Sequence, residues 1–287
     1  MTAVRVDAHL HLWDPALGVY EWLTPDLGDL HAEFTPEQAR AELDAAGVDV
    51  AVLVQAADSS RDTEAMLAHA AAHSWIRGVV GWIDLEAPGR ADEDLDRLTE
   101  DPHFVGVRQL VHDDPRPDVY ALPAVRQTAA ILARRGLPLE VPDAYPRDLG
   151  SAADLARAVE GLTVVLDHLG KPPRGTDAWD DWAAALADFA KAPATVAKVS
   201  GLACPTAEFS IAALRPTFEH ALSCFGADRL MFGSDWPITV AGSGYVGTHE
   251  VLDELVAELS PDEQAALRGG TALEVYGLDD PGHEEAL

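Results

Sequence analysis

Lysine is almost missing from this chain of 287 residues. Three are present, Lys171, Lys191 and Lys198, among 20 basic residues set against 49 acidic ones, and the formal net charge is -29. Such a surface repels phosphate backbones and anionic membranes, so neither nucleic acid nor a membrane is expected as a partner. An anionic ligand would need a local group of arginines working against the global field. Cysteine is equally scarce, with only Cys204 and Cys224. That excludes a disulfide framework and fits a reducing cytoplasm, and the two read as buried structural thiols. No apolar run approaches the roughly 18 residues of a membrane helix. No basic region followed by an apolar run opens the chain, so no secretion signal is expected. No Gly-x-Gly-x-x-Gly follows the first strand-like segment, which counts against a dinucleotide-binding sheet. Internal repeats, low-complexity tracts and linkers are absent as well, which leaves one domain over residues 1–287.

Apolar residues are plentiful, at 48% of the chain, enough for a sizeable core. Eight strand-like runs recur: 4–12, 48–55, 76–83, 104–111, 137–141, 162–168, 194–200 and 229–235. Helix-like segments lie between them at 60–73, 91–100, 122–135, 147–160, 178–191 and 208–225. Thr35-Pro36-Glu37-Gln38 opens another, with threonine as cap, proline at the first helical position and glutamine at the third. Ser260-Pro261-Asp262-Glu263 opens a late one by the same logic. Strands alternating with helices eight times predict a parallel sheet closed into a (β/α)8 TIM barrel, with an open doubly wound sheet as the alternative. Residues 15–34 form a long first loop that would lie over the active face. The acidic tail 279–287 reads as frayed.

The first strand carries most information. Val4, Val6, Ala8 and Leu10 alternate with Asp7, His9 and His11. On a strand, His9 and His11 point the same way, roughly 6.6 Å apart along the axis, and can converge on one metal ion or one substrate. The other strands also end in polar groups: Gln55; Trp82 and Asp84; Arg108, Gln109 and His112; Glu140 and Asp143; Asp167 and His168; Lys198 and Ser200; Ser234, Asp235 and Trp236. Such residues are costly at apolar β positions unless something partners them. Their recurrence at the same relative place, the end where barrel chemistry gathers, is a stronger signal than any single motif.

His9, His11, His168 and Asp235 make a candidate metal or acid–base set, since imidazole and carboxylate suit zinc or a similar divalent ion. Asp235 alternatively serves as general base toward water. Trp13, Trp22, Trp82 and Trp236 fall near strand ends or active-face loops, where they would stack on a ring or anchor a loop. Trp179, Trp182 and Phe189 follow helical spacing and read as core. His69 and His73 read as a solvated helix face, and His31, His103, His220, His249 and His283 likewise. Arg61, Arg147 and Arg174 cannot be placed. Ser200 and Ser234 have no activating base beside them in sequence, so neither is taken as a nucleophile.

Five motifs occur in order: Val-Asp-Ala-His-Leu-His-Leu-Trp-Asp-Pro (6–15), Gly-Val-Arg-Gln (106–109), Asp-His-Leu-Gly-Lys-Pro (167–172), Lys-Val-Ser-Gly-Leu (198–202) and Met-Phe-Gly-Ser-Asp-Trp-Pro (231–237). With the late Leu-Glu-Val-Tyr-Gly-Leu (273–278), they resemble the amidohydrolase superfamily over nearly the whole chain. The nearest branch is that of sugar lactonases and dicarboxylate-lactone hydrolases. The resemblance implies a (β/α)8 barrel and hydrolysis of a lactone ring. It makes His9, His11, His168 and Asp235 the metal ligands and Asp235, His168 and Arg108 the catalytic set. Trp13, Gln55, Trp82, Arg108, Glu140 and Trp236 become substrate-binding candidates. The fourth strand lacks a lysine that could be carbamylated and the fifth lacks a histidine, which argues against a two-metal centre. One divalent ion, zinc, is the implied cofactor, with a metal-free version left open.

The expected substrate is a small-molecule lactone, of a sugar acid such as an L-fucono- or L-rhamnono-lactone. A dicarboxylate lactone is less favoured because Arg108 is the one clear arginine at a strand end. A metal-dependent decarboxylase of the same superfamily, an amide or ester hydrolase, and a non-catalytic binding barrel are the competing readings. A homo-oligomer is admissible.

Overall fold

The computed structural model describes residues 3–111, 114–116 and 118–279. The readings made for His112, for His283 and for all of the 279–287 tail except Asp279 lie outside the described residues. Eight strands run β1 Val6–Leu10, β2 Val50–Val54, β3 Ile76–Gly81, β4 Phe104–Arg108, β5 Leu139–Val141, β6 Val164–Leu166, β7 Thr195–Val199 and β8 Leu230–Phe232. They pair in parallel in sequence order, one sheet from β1 to β8. Beyond β8 the chain returns to β1. Leu10 bridges Trp236, the Asp235 N–H donates to the His9 carbonyl at 2.8 Å, and the His11 N–H donates to the Trp236 carbonyl at 2.8 Å. The result is a single (β/α)8 barrel, and the bonds that complete its seam lie among the candidate site residues.

The helices are α1 Pro36–Ala46, α2 Ser60–Ala72, α3 Pro88–Leu98, α4 Pro123–Arg135, α5 Leu149–Ala158, α6 Trp179–Phe189, α7 Ile211–Phe225, α8 Gly244–Val256, α9 Pro261–Ala265 and α10 Thr271–Tyr276. Among these described helices none is long and apolar enough to cross a membrane. The cap logic holds at both places it was read. Thr35 Oγ1 accepts from Gln38 N–H while Gln38 Oε1 accepts from Thr35 N–H, and Ser260 with Glu263 repeats the exchange. Each cap satisfies two backbone donors that the helix itself leaves open.

Helix α8 was not foreseen. Its first half, Gly244-Tyr245-Val246-Gly247-Thr248, follows Gly242 and reads locally as loop, because glycine is a poor helix former. Packing overrides that preference: Tyr245, Thr248, His249, Leu252, Leu255 and Val256 are buried on one face. His249 is therefore no solvated histidine. It lies 2% exposed against the rings of Phe232 and Tyr245, with centroids 4.1 and 4.6 Å away. Cys204 and Cys224 are free and half-buried, where full burial was expected.

The main core lies between sheet and helices. Leu95, Leu132, Leu139, Leu155, Leu166, Trp182, Leu186, Phe218 and Leu230 belong to one continuous cluster. A second packs β1 and β2 against α1 and the first loop. A smaller set at the base, including Val6, Ala8, Val52, Val165 and Met231, closes around Tyr276 of α10. There the backbone of Gly269 comes so near β1 that an added Cβ would sit 2.3 Å from the Val4 carbonyl.

Burial holds the His249 imidazole down at about 3, and Arg5 pushes the same way. The unfolded chain takes up a proton at this group below its ordinary value of about 6.5, while the fold does not. Stability associated with a neutral His249 is thus complete above that value and lost as pH falls toward the folded-state value. The variant His249→Phe should gain stability relative to the parent by about 2 kcal/mol between pH 7 and pH 5. Urea denaturation at both pH values reads this difference. Parallel curves for the two proteins would refute it.

Candidate active site

The polar residues at the strand ends meet at one mouth of the barrel. His9 and His168 have ring centroids 4.5 Å apart, and His9 Nε2 lies 3.1 Å from His11 Nε2. Asp235 Oδ1 is 3.8 Å from His9 Nε2, 3.4 Å from His11 Nε2 and 3.8 Å from His168 Nε2. All four side chains are nearly inaccessible, from 0% exposed for His9 to 5% for His11. Above them opens a cavity of about 260 Å³, lined by His11, Trp13, Trp22, Ala56, Arg108, Leu110, Asp143, His168, Lys171, Asp235 and Ile238. Trp13 comes from the beginning of the chain and Trp22 from its long first loop.

Each imidazole is held from behind. His11 Nδ1 lies 2.7 Å from the Val54 carbonyl, which can only accept, so the proton is on Nδ1 and the Nε2 lone pair faces the cavity. His168 Nδ1 pairs with the Ser200 hydroxyl at 2.8 Å. This is the base that Ser200 lacked in the sequence, but the serine sits behind the ring and off the cavity lining. His9 Nδ1 lies between Asp167 Oδ1 at 3.3 Å and Lys198 Nζ at 3.2 Å. Given to the carboxylate, its proton leaves Nε2 free. Rear partners of this kind fix the tautomer and ring orientation of metal-ligating histidines.

Burial lowers the His9 imidazole well below its ordinary value, with Lys198 adding to the effect against Asp167. Burial also brings His168 down to about 4, against the pull of the Asp235 carboxylate. Burial alone would raise Asp235, but His168, the His11 hydrogen bond and Lys171 outweigh it and hold the carboxyl well below the usual range. At neutral pH the site thus combines neutral His9 and His168 rings with a carboxylate anion. A group of His9, His11 and Asp235 is able to bind a metal ion, its ligand atoms all within 4.8 Å of one another. Nitrogen and oxygen donors with rear hydrogen bonds fit a divalent ion of the zinc type.

Beneath the cluster lies a layer of buried charge. Lys198 Nζ is 2.7 Å from Glu140 Oε2 and 3.3 Å from Asp167 Oδ1, and Arg108 Nε donates to Asp167 Oδ2 at 2.7 Å. The Tyr276 hydroxyl donates to Glu140 Oε1. Burial pushes the Glu140 carboxyl up to about 7, against Lys198. Burial pushes Asp167 up too, but Lys198, His9 and Arg108 win and hold it well below the carboxylate range.

Two of the substrate-binding candidates, Trp13 and Arg108, line the cavity; four do not. Glu140 is spent on Lys198 and Tyr276 one layer down. Gln55 is fully buried, with Nε2 donating to the Arg108 carbonyl and to Asp58. Trp236 is 2% exposed and packs edge-on against Phe34. Trp82 is half-buried, and its backbone N–H donates to Thr63 of α2. Of the unplaced arginines, Arg174 is buried and holds the carbonyls of Leu202 and Glu208, while Arg147 holds those of Val111 and Asp114. Neither lines the cavity.

Lys171, Asp143, Leu110, Ala56 and Ile238 line it without having been singled out as site residues. Lys171 was visible in the 167–172 motif and Asp143 among the polar strand ends; Leu110, Ala56 and Ile238 carried no signal. Strain marks several of these positions. His168, Leu169, Lys171, Asp143 and Asp235 all have positive φ, between 33 and 59°. Such backbone costs on the order of 1–3 kcal/mol per residue and clusters where function requires it. Gly201, at φ +53°, passes so close that a Cβ would sit 2.5 Å from His168 Nδ1 and 2.6 Å from Asp235 Oδ2.

Buried imidazoles beside a carboxylate at the C-terminal mouth of a (β/α)8 barrel are the arrangement of a hydrolase that activates water there. A model of the amidohydrolase family matches residues 6–278, and the chain belongs to that family. It is 30% identical over 286 residues, 98% of both chains, to an L-fucono-1,5-lactonase of Burkholderia ambifaria. Two crystal structures of an amidohydrolase from Burkholderia multivorans superpose closely. The one with bound HEPES has a TM-score of 0.87 at 28% identity, over 96% of this chain and 100% of the other. The one with bound zinc has a TM-score of 0.86 at 29% identity, with the same coverage.

The charge layer yields a stability test. Lys198→Met leaves Glu140 and Asp167 buried without their ammonium and should cost about 3–5 kcal/mol. Adding Glu140→Gln should return a large part of that loss. Chemical denaturation of the single and double variants measures both, and additive losses would refute the pairing.

Proposed function

We propose that this chain hydrolyses a sugar-acid lactone, of the L-fucono- or L-rhamnono-lactone kind. The observation that carries the reading is the division of the Asp235 carboxylate. Oδ1 faces the three imidazoles, while Oδ2 faces Lys171 at 4.0 Å. One oxygen can serve the imidazole cluster and the other can handle a proton, so metal binding and base catalysis need not compete for one atom. The cavity, about 260 Å³, has room for a single sugar ring. Its lining cations, Arg108 and Lys171, are matched by Asp143 and Asp235. The lining side chains by themselves thus offer no surplus positive charge for a dicarboxylate, which supports a sugar lactone.

The lactone ring packs beside Trp13 and Trp22. Arg108 donates to the lactone's oxygen atoms, and the carbonyl lies on the imidazole side of Asp235, where the Nε2 lone pairs would hold a divalent ion. Asp235 Oδ2 takes a proton from the attacking water, whose oxygen bonds to the carbonyl carbon. The tetrahedral intermediate collapses, the acyl–oxygen bond breaks, and Asp235 returns its proton to the departing ring oxygen. The product is a hydroxy acid, formed without a covalent enzyme intermediate. A zinc ion on His9, His11, His168 and Asp235 would polarise the carbonyl and stabilise charge on its oxygen. The homology to a lactonase supports this reading, as does the donor chemistry of the cluster. The low count of cysteines and the lactone chemistry together fit a cytoplasmic enzyme of carbohydrate metabolism.

A pH-indicator screen of sugar lactones, run with and without added zinc, tests substrate and metal together. Asp235→Asn should lower kcat by about 10²–10⁴-fold with the fold intact. Turnover near that of the parent would overturn the role of Asp235. His9→Ala should lower the zinc content measured by metal analysis after dialysis. Unchanged zinc content in that variant would remove His9 from the ligand set.

A further inference from the structure

The residues from His168 to Lys171 form one turn of left-handed backbone. Their φ angles are 55, 52, 72 and 59°, and only the third residue is glycine. L-residues visit this region as single residues, and a run is rare. The turn sets His168 and Lys171, three positions apart, on the wall of one cavity, facing Asp235. Lys171 Nζ lies 4.0 Å from Asp235 Oδ2 and 3.8 Å from Asp143 Oδ1, and it donates one long hydrogen bond, 3.3 Å, to the Gly201 carbonyl. An ammonium has three donors, so capacity remains for a bound molecule. Lys171 also borders a second cavity of about 600 Å³, which shares Lys171, Asp235 and Ile238 with the first.

Resting on the lactonase reading above, we propose that Lys171 is a catalytic residue whose ammonium holds the departing ring oxygen and offsets the negative charge that grows there. The geometry selects this oxygen. The proton that completes ring opening comes off Asp235 Oδ2, so the oxygen receiving it must lie against that atom. Lys171 is the ammonium beside that atom, and the imidazoles lie beside the other carboxylate oxygen. As the acyl–oxygen bond breaks, its electron pair goes to the ring oxygen, and Asp235 supplies the proton first taken from water. Lys171 stays charged throughout and neither gains nor loses a proton. Ring opening lengthens the molecule, and the second cavity gives the freed hydroxyl arm room on the Lys171 side.

The test compares two lactones with different leaving groups. L-fucono-1,5-lactone releases an alcohol, on which charge is costly. Dihydrocoumarin releases a phenol, which carries negative charge easily. Lys171→Met should lower kcat/KM on the sugar lactone about 100-fold or more, and on dihydrocoumarin by less than about tenfold. Lys171→Arg keeps the charge and should stay within about tenfold of the parent on both. Equal losses on the two lactones in Lys171→Met overturn the proposal. So does an arginine variant as impaired as the methionine one, since a role in shape or folding alone would not discriminate. If the unaltered enzyme opens the sugar lactone and leaves dihydrocoumarin, the difference between Met and Arg on the sugar lactone decides. If it opens neither, the lactonase reading itself fails, and the proposal with it.

Discussion

Everything at the mouth of this barrel depends on a neutralised layer of charge beneath it. Glu140 and Asp167 are matched by Lys198 and Arg108, all four at most 5% exposed. Isolated, any of these would cost several kcal/mol to bury, so the layer exists only because each charge has a partner at hydrogen-bonding distance. It is also the floor on which His9 stands, since Asp167 and Lys198 both reach its Nδ1. Through His9 the floor sets which nitrogen faces the cavity. Tyr276, the last residue of α10, reaches the same floor from below and ties that helix to the site.

Above the floor the chain accepts poor local conformations to aim its side chains. The left-handed residues after β6 and β8 present His168, Lys171 and Asp235 to one space. Gly201 completes the arrangement from β7 by leaving out a Cβ where His168 and Asp235 need the room. Strain of this size persists because large apolar clusters hold the flanking elements, and because the barrel seam closes through the same backbone. The Asp235 N–H, donated to the His9 carbonyl, is at once a seam bond and a positioning bond.

The alternation of apolar runs and capped helices made the barrel legible, since eight βα units have few other ways to bury both faces of their strands. The strand ends were legible for a related reason: His9, His11, His168 and Asp235 are costly in such places without partners. What failed was inference about partners. Gln55, Glu140 and Trp236 look like site residues in one dimension, yet none lines the cavity: Glu140 is held by Lys198 and Tyr276, and Trp236 packs on Phe34. Helix α8 failed for the opposite reason. Its glycines argue against a helix locally, and only the buried face of Tyr245, His249 and Leu252 explains why one forms.

The sequence by itself determined the architecture, the family and the identity of the imidazoles and carboxylate, because periodicity and unpaired polar residues are properties of short segments. Tertiary structure alone decided which oxygen of Asp235 faces which group, which nitrogen of each imidazole is free, and that Lys171 shares the cavity. Those are relations between atoms brought together by β1, β6, β7 and β8, and no local pattern encodes the angle at which one strand end meets another.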